Sequence, residues 1–181
     1  MIYVCPLSRV SEMIARHKPA RVVSLLDPGF DFPELGPTYV GRHLRLEFHD
    51  IHLPTKNEVM PAAAHVDRLL RFLRRWDPGD PMLIHCRAGI GRSTAAAFIA
   101  ACFHNPYTDE LEIAVELRRT SPFARPNKTL IGIADTAMGR RGRMRAAIAS
   151  TEPDSAWTGL VEGEPFRIPS TYPSTYLNSN P

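Results

Sequence analysis

A single stretch constrains the fold of this chain more than any other. Met82-Leu83-Ile84 leads into His85-Cys86-Arg87-Ala88-Gly89-Ile90-Gly91-Arg92-Ser93, and a run of small residues follows through Ala101. The apolar triplet reads as a strand and the small-residue run as a helix, so the residues between them form a tight loop. Such a unit gathers backbone N–H groups and the positive end of a helix around one point, which is how a chain cradles an anion. It also calls for a surrounding sheet, because sites of this kind lie at the carboxyl ends of strands in open α/β sheets.

Each residue of the loop has a physical task. Gly89 and Gly91 permit unusual backbone angles and close approach of a ligand. Arg92 offers a planar fork of donors suited to two oxygens of a phosphoryl group. The positive surroundings favour the thiolate of Cys86, so its pKa is expected well below the free value of about 8.5. A thiolate under a phosphate can attack phosphorus and form a thiophosphate ester. Ser93 is placed to donate a hydrogen bond to that sulfur. A buried strand cysteine before a glycine-rich turn would carry the same letters without chemistry. The coincidence of His, Cys, two Gly, Arg and Ser in one strand–helix context argues against that reading.

His-Cys, five residues, Arg and Ser resembles the signature of the cysteine-based protein tyrosine phosphatases, and Ala88-Gly89 with Gly91-Arg92-Ser93 looks like their dual-specificity branch. The resemblance covers about residues 1–138. It implies Cys86 as nucleophile, Arg92 as phosphate clamp, Ser93 as aid to the leaving thiolate, and the backbone of Arg87, Ala88, Gly89, Ile90 and Gly91 as the oxygen cradle. His85 then has a supporting role, fixing the loop and tuning the thiolate. Chemistry through a phosphocysteine needs no metal and no other cofactor.

That chemistry needs an acid for the leaving oxygen, and the resemblance places one on a loop after a strand. Asp50, 36 positions before Cys86, follows the strand-like run Arg42–Leu46 and opens a loop containing Pro54. Its pKa is expected above the free value of about 3.9 if it starts protonated. Glu47 is expected to point elsewhere, and Glu58 reads as first-turn helix charge. His49 and His52 flank Asp50, but no further Cys or His nearby completes a zinc set. Pro126-Asn127 matches a Pro-Asn whose Asn braces the phosphate loop in dual-specificity phosphatases; helix capping alone would also explain Asn127. Ile133 stands about where the family often has a glutamine.

Hydrophobic patterning gives the order β-α-β-β-α-β-loop-α-α-α. It predicts strands at about 2–5, 21–26, 39–46 and 81–85. A helix is expected from about Glu58 to Trp76, its apolar stripe running through Val59, Val66, Leu69, Leu70, Leu73 and Trp76. Alternating strands and helices mean an α/β fold: a central, mainly parallel sheet flanked by helices, phosphotyrosine-phosphatase-like. With 44% apolar and 23% charged residues in 181, the chain can bury a core and is not a disordered one. Domain boundaries are expected at 1–140 for the phosphatase unit and 141–181 for a C-terminal extension. That extension is rich in Ser and Pro and repeats Pro-Ser-Thr-Tyr at 169–172 and 173–176. The basic run Arg140–Arg145 reads as a solvated helix end. A net charge of +3 does not imply nucleic-acid binding, and no apolar run approaches a membrane span. Three widely spaced cysteines argue against a disulfide framework, and a working thiolate suits a cytoplasmic location. Cys5 and Cys102 read as core thiols.

The expected function is hydrolysis of phosphomonoesters, phosphotyrosine first and phosphoserine or phosphothreonine next. Partners are then a phosphorylated protein or a small phosphomonoester. The alternatives are a non-catalytic phosphate-binding module and a phosphoinositide phosphatase; a lysine-rich loop of the latter kind is absent. A sulfurtransferase or arsenate-reductase-like enzyme is disfavoured by Ser93, Asp50 and the lack of a nearby resolving cysteine.

Overall fold

The computed structural model describes residues 1–153 and 162–174. Its strands are β1 (Ile2–Pro6), β2 (Arg21–Leu26), β3 (His43–Glu47), β4 (Met82–Cys86) and β5 (Phe166–Ile168), arranged in one sheet in the order β3-β2-β4-β1-β5. The β1–β4, β2–β4 and β2–β3 pairs are parallel and β1–β5 is antiparallel. The sheet is thus mainly parallel, as the alternation of patterns predicts. β4 lies at its centre and is buried along its whole length, which is why 82–86 reads as a continuous apolar run rather than an alternating one.

The helices are α1 (Val10–His17), α2 (Ala63–Leu73), α3 (Arg92–His104), α4 (Glu110–Thr120), α5 (Lys128–Ala137) and α6 (Arg143–Ser150). α3 leaves the loop after β4 and is buried from Arg92 through Cys102. It contacts β1, β2 and β4 as well as α2, α4 and α5. Its alanines at 95–97, 100 and 101 let it lie close to both layers, so it shows no polar face. The main core gathers Ile2, Val4, Leu25, Phe48, Leu69, Ile84, Phe98, Ile99 and Leu130 around it.

Three features differ from expectation. α2 begins at Ala63, not Glu58; Pro61 cannot donate to a helix and Ala62 is extended (φ −134°, ψ 163°). Glu58 therefore belongs to the preceding loop rather than to a helical first turn, and Val59 is exposed. β3 begins at His43, because Pro37–Tyr39 forms a 3-10 turn and Gly41 sits at φ +71°. The third difference is the basic run after α5. Arg140 is not solvated: it is buried, donates to the Glu110 carboxylate at 3.0 Å and to the Cys102 carbonyl at 2.6 Å, and Arg143 reaches the same Glu110. Asp135 of α5 takes the N–H groups of Gly142 and Met144 at 2.6 and 2.9 Å and so caps α6 from a neighbouring helix.

The segment past residue 140 thus contributes α6 and the edge strand β5. Beyond β5 the chain is tied to the core at Asn105, whose side chain bonds Ser170 and Tyr172, and at Thr108, which donates to the Pro173 carbonyl. The second tyrosine of the tandem repeat, Tyr176, lies outside the described residues.

The Glu110–Arg140 pair yields a test. Replacing Glu110 by Ala leaves a buried guanidinium without its carboxylate, and loss of one partner of such a pair costs about 3–5 kcal/mol. Urea unfolding of Glu110→Ala against the parent protein is expected to show a loss of that size; a change within about 0.5 kcal/mol would mean water or a neighbour replaces the carboxylate.

Candidate active site

The loop between β4 and α3 is shaped from outside by bonds to its carbonyls. The Leu7 N–H donates to the Arg87 carbonyl (3.1 Å), Gly163 to Ala88 (2.8 Å), Arg125 to Ile90 (2.9 Å) and Asn127 to Gly91 (3.3 Å). The Thr94 hydroxyl also meets the carbonyls of Ile90 and Gly91. In a trans peptide the carbonyl of one residue and the N–H of the next point in opposite directions, and the described residues have no cis bond. Carbonyls held outward at 87, 88, 90 and 91 therefore turn the N–H groups of Ala88, Gly89, Gly91 and Arg92 inward. α3 starts at the same place with no side chain capping it, so its own free N–H groups join them. Gly89 holds φ +73°, and a Cβ there would lie 2.7 Å from the Pro6 nitrogen, so only glycine fits.

Cys86 ends β4 at the floor of this cradle and is 1% exposed. Its sulfur lies 3.1 Å from the Ser93 hydroxyl and accepts the Gly89 N–H at 3.2 Å. Behind it runs a polar chain that is buried at His85 and Ser24 and reaches the surface at Arg45. His85 Nε2 is 2.5 Å from the Ser24 hydroxyl, which is 2.7 Å from His43 Nε2, and Arg45 donates to His43 Nδ1 at 3.3 Å. Because Nδ1 of His43 accepts, its Nε2 carries the proton and donates to Ser24. Ser24 then donates to His85 Nε2, and the His85 proton sits on Nδ1, facing the Cys86 backbone. That Nδ1 is buried without a hydrogen bond of good geometry. Burial pushes the pKa of both histidines down to about 4; for His85 the Cys86 backbone partly opposes the shift. His85 is thus a neutral support for the loop.

Arg92 is 4% exposed. Its Nη1 donates to Asp27 at 2.8 Å and to the Phe48 carbonyl at 2.6 Å. These bonds fix one corner of the guanidinium, while its buried Nε has no hydrogen-bond partner among the described residues. A buried guanidinium N–H left open beside a ring of inward N–H groups is a site for an oxyanion.

Asp50 is exposed at the rim of the loop. Its Oδ1 accepts the Asn127 Nδ2 at 2.7 Å, and a Cβ added to Gly91 would overlap its Oδ2. The carboxylate therefore lies directly on the glycine face of the loop. Asn127 is fully buried; its Oδ1 caps α5 by accepting the Leu130 N–H at 2.9 Å, and its own N–H holds the Gly91 carbonyl. Capping and bracing are both found in one residue. Glu47 is exposed at the end of β3, between buried Leu46 and Phe48. His49 accepts the Val59 N–H at 2.9 Å, and among the described residues no group of three or more His, Cys, Asp or Glu is placed to hold a metal. Arg87 is exposed and lies over the Phe30 ring at 5.1 Å.

The structure thus brings Cys86, Arg92, Ser93, Asp50, His85 and Asn127 together around residues 87–91. Partners not found from sequence include Asp27, Ser24, His43, Thr94 and Gly163. Asp27 had a readable signal, an acid directly after the predicted strand 21–26. Cys5 is buried, and its pKa is pushed up to about 12 chiefly by burial. The β1–β4 register pairs Cys5 with His85 and Pro6 with Cys86. Cys5 accordingly packs with Val10, Met13, Val22 and Leu83 in a cluster separate from that of Cys86.

Comparison with known proteins agrees with the fold. The family model described as PTP-SAK, Swiss Army Knife protein, DSP-PTPase phosphatase domain, matches residues 36–137. No curated protein matches the sequence. Among solved structures, the human tyrosine phosphatase-like serine/threonine/tyrosine-interacting protein superposes with a TM-score of 0.58 at 16% identity, over 77% of this chain and 92% of that one. The Yvh1 phosphatase domain from Chaetomium thermophilum gives 0.56 at 18% identity, over 79% and 93%. Human DUSP28 gives 0.58 at 16% identity, over 77% and 89%. These likenesses are of fold.

The neutral histidine chain makes stability pH-dependent. Its histidines have folded pKa values near 4 against an ordinary value of 6.5. Between those values the unfolded chain binds protons that the folded chain does not. This contribution is complete above about pH 6.5 and falls away as pH drops towards 4. Its size is on the order of 3 kcal/mol for the coupled pair. Unfolding free energies measured from pH 7 to 4 are expected to decline more steeply for the parent protein than for His85→Gln; equal slopes would mean that His85 takes up its proton without unfolding.

Proposed function

This chain belongs to the PTP-SAK family of DSP-PTPase phosphatase domains, and we propose that it hydrolyses phosphomonoesters through a covalent phosphocysteine formed on Cys86. The reading rests on one observation above the others. The Cys86 sulfur lies under inward N–H groups at the start of α3, in a loop that also carries a buried Arg92 Nε with no hydrogen-bond partner among the described residues. An incoming phosphoryl group fills that vacancy of charge and hydrogen bonding.

In the proposed reaction the Cys86 thiolate attacks phosphorus while two phosphoryl oxygens take the Nε edge of Arg92 and the loop N–H groups. The bond from phosphorus to the leaving oxygen breaks, and that oxygen takes a proton from Asp50. Water then attacks the phosphocysteine and gives a proton back to Asp50. The sulfur–phosphorus bond breaks, and Ser93 donates to the departing thiolate, 3.1 Å away. Asn127 acts as a positioning residue, since it holds the Asp50 carboxylate and the Gly91 carbonyl together. No step needs a metal.

The substrate class we assign is a phosphorylated protein, with phosphotyrosine as the first target. Asp50 at the exposed rim and small Ala88 in the loop suit a shallow site, so phosphoserine and phosphothreonine come within its range. A thiol nucleophile works where thiols stay reduced, and all three cysteines are free, which fits the cytoplasm. No helix among the described residues is long and apolar enough to cross a membrane.

The test compares three variants on p-nitrophenyl phosphate and on phenyl phosphate, whose leaving group needs the acid more. Cys86→Ser is expected to abolish turnover of both. Asp50→Ala is expected to lower kcat on phenyl phosphate by about 10²- to 10⁴-fold, with a smaller loss on the nitrophenyl ester. Gly91→Ala should match Asp50→Ala, because its backbone (φ −102°) accepts alanine and the atoms nearest the new Cβ are those of the Asp50 carboxylate, which it displaces. Turnover that survives Cys86→Ser would refute the phosphocysteine route, and full activity in Asp50→Ala would assign the acid to another residue.

A further inference from the structure

The loop around Cys86 is held in part by chain that lies past the end of the matched family domain. That match ends at residue 137, whereas Gly163 donates its N–H to the Ala88 carbonyl at 2.8 Å. Gly163 is buried, and three residues later β5 begins, antiparallel to β1 with Phe166 opposite Val4. Both neighbours of the glycine are tied as well. The Ser8 hydroxyl donates to Glu162 at 2.7 Å, and Arg9 faces Glu164 at 3.9 Å. Phe166 meets Phe123 edge to face, with ring centres 6.3 Å apart. A Cβ on Gly163 would lie 2.5 Å from the Phe123 ring and 3.3 Å from the Ile90 side chain. Only a bare backbone approaches the loop this closely, and a strand pairing seats it there.

The bond from Gly163 has a chemical consequence because of what shares its peptide unit. The Ala88 carbonyl and the Gly89 N–H belong to one amide plane and point in opposite directions. The Gly89 N–H reaches the Cys86 sulfur at 3.2 Å. The Gly163 N–H, the 88–89 amide and the sulfur therefore stand in series. A donor on the amide oxygen draws electron density through the conjugated unit and makes its N–H a stronger donor. It also fixes the plane, and with it the direction of that N–H. We infer that Gly163 is a positioning residue for the nucleophile: acting through the 88–89 amide, its N–H aims and strengthens the Gly89 N–H that supports the Cys86 thiolate. The catalytic meaning of this relay rests on the phosphatase reading of Cys86. The segment that carries Gly163 is then a working part of the site and not an appendage to the domain.

The test titrates the Cys86 thiolate by its ultraviolet absorbance in the full chain, with Cys86→Ser as the blank. Burial holds the Cys5 and Cys102 thiols far above the ordinary thiol range, so they stay silent. The other groups that face the sulfur or its loop are Cys5 on β1, Asp27 after β2, Asp50 before α2, His85 on β4, and Arg87 and Arg92 on the loop itself, and the variants leave them all in place. In the first variant an ester replaces the amide between Glu162 and Gly163, introduced by ligation of a synthetic C-terminal peptide. It removes the N–H and adds no side chain. The titration midpoint of Cys86 is expected to rise by about half a pH unit or more, the size of one lost hydrogen bond. Gly163→Ala should raise it too, because the new Cβ pushes the donor away from the Phe123 ring, and Phe123→Ala in the same chain should restore it. Glu110→Ala, which weakens the fold elsewhere, should leave the midpoint in place. Should Gly163→Ala not fold, the ester protein alone decides. The parent and the ester protein are also assayed on p-nitrophenyl phosphate. An unmoved midpoint in the ester protein overturns the inference even if turnover falls, because Gly163 would then act on structure alone. An equal rise in Glu110→Ala overturns it as well, since any loosening would then do the same. A raised midpoint in the ester protein alone, with no turnover by the parent, keeps the relay and overturns the phosphatase reading.

Discussion

The site depends on one constraint, the outward pull on the carbonyls of residues 87, 88, 90 and 91. A loop of five residues has too few contacts of its own to fix four peptide planes. Donors from β1's exit (Leu7), from the turn before α5 (Arg125 and Asn127) and from the C-terminal segment (Gly163) do it instead. Each bond holds a carbonyl away from the centre and, through the planarity of the peptide, aims an N–H into it. The anion cradle is thus a tertiary feature. This also explains why Gly89 and Gly163 are glycines. Side chains there would strike the β1 backbone and the Phe123 ring, respectively, and move the donors out of reach.

Asn127 ties three elements with one side chain and one N–H. It caps α5, holds the Gly91 carbonyl and holds Asp50. The loop around residues 50–60, which carries the proposed acid, has no regular structure and is largely exposed. Contact with Gly91 and a bond to a fully buried amide are what locate its carboxylate. A loop tethered at its functional end and loose elsewhere can place an acid without being rigid throughout.

The sequence was most legible where structure is local. The strand–loop–helix at 82–101 is contiguous, and its glycines, nucleophile and arginine are read from neighbouring letters. Partners set by topology were less legible. Ser24 and His43 meet His85 only because β2 lies between β3 and β4, and no spacing along the chain encodes that order. The C-terminal part was misread for another reason. β5 has three residues flanked by Pro165 and Pro169, so its composition resembles a linker, yet it covers the β1 edge. Arg140 reads as one of a solvated cluster until Glu110, thirty residues upstream, is seen to bury with it. Glu58 and Val59 fit a helical stripe by period, and Pro61 sets the start of α2 after them.

The distribution of charge around Cys86 has a consequence for the proposed reaction. The histidine next to the nucleophile is neutral, because burial between Ser24 and the β4 backbone disfavours its cation. The imidazole next to the sulfur therefore carries no positive charge. The positive groups that face it are the loop N–H groups, the first turn of α3 and Arg92, and these are the groups an arriving phosphate engages. Sulfur and phosphate compete for one set of donors. When the phosphoryl oxygens take them, the thiolate loses part of its stabilisation at the moment phosphorus comes within reach, and its nucleophilicity rises. A charged histidine beneath the sulfur would hold the thiolate in place regardless of substrate. The neutral Ser24–His85 support instead fixes the strand end and leaves the electrostatic contest to the face where the bond is made.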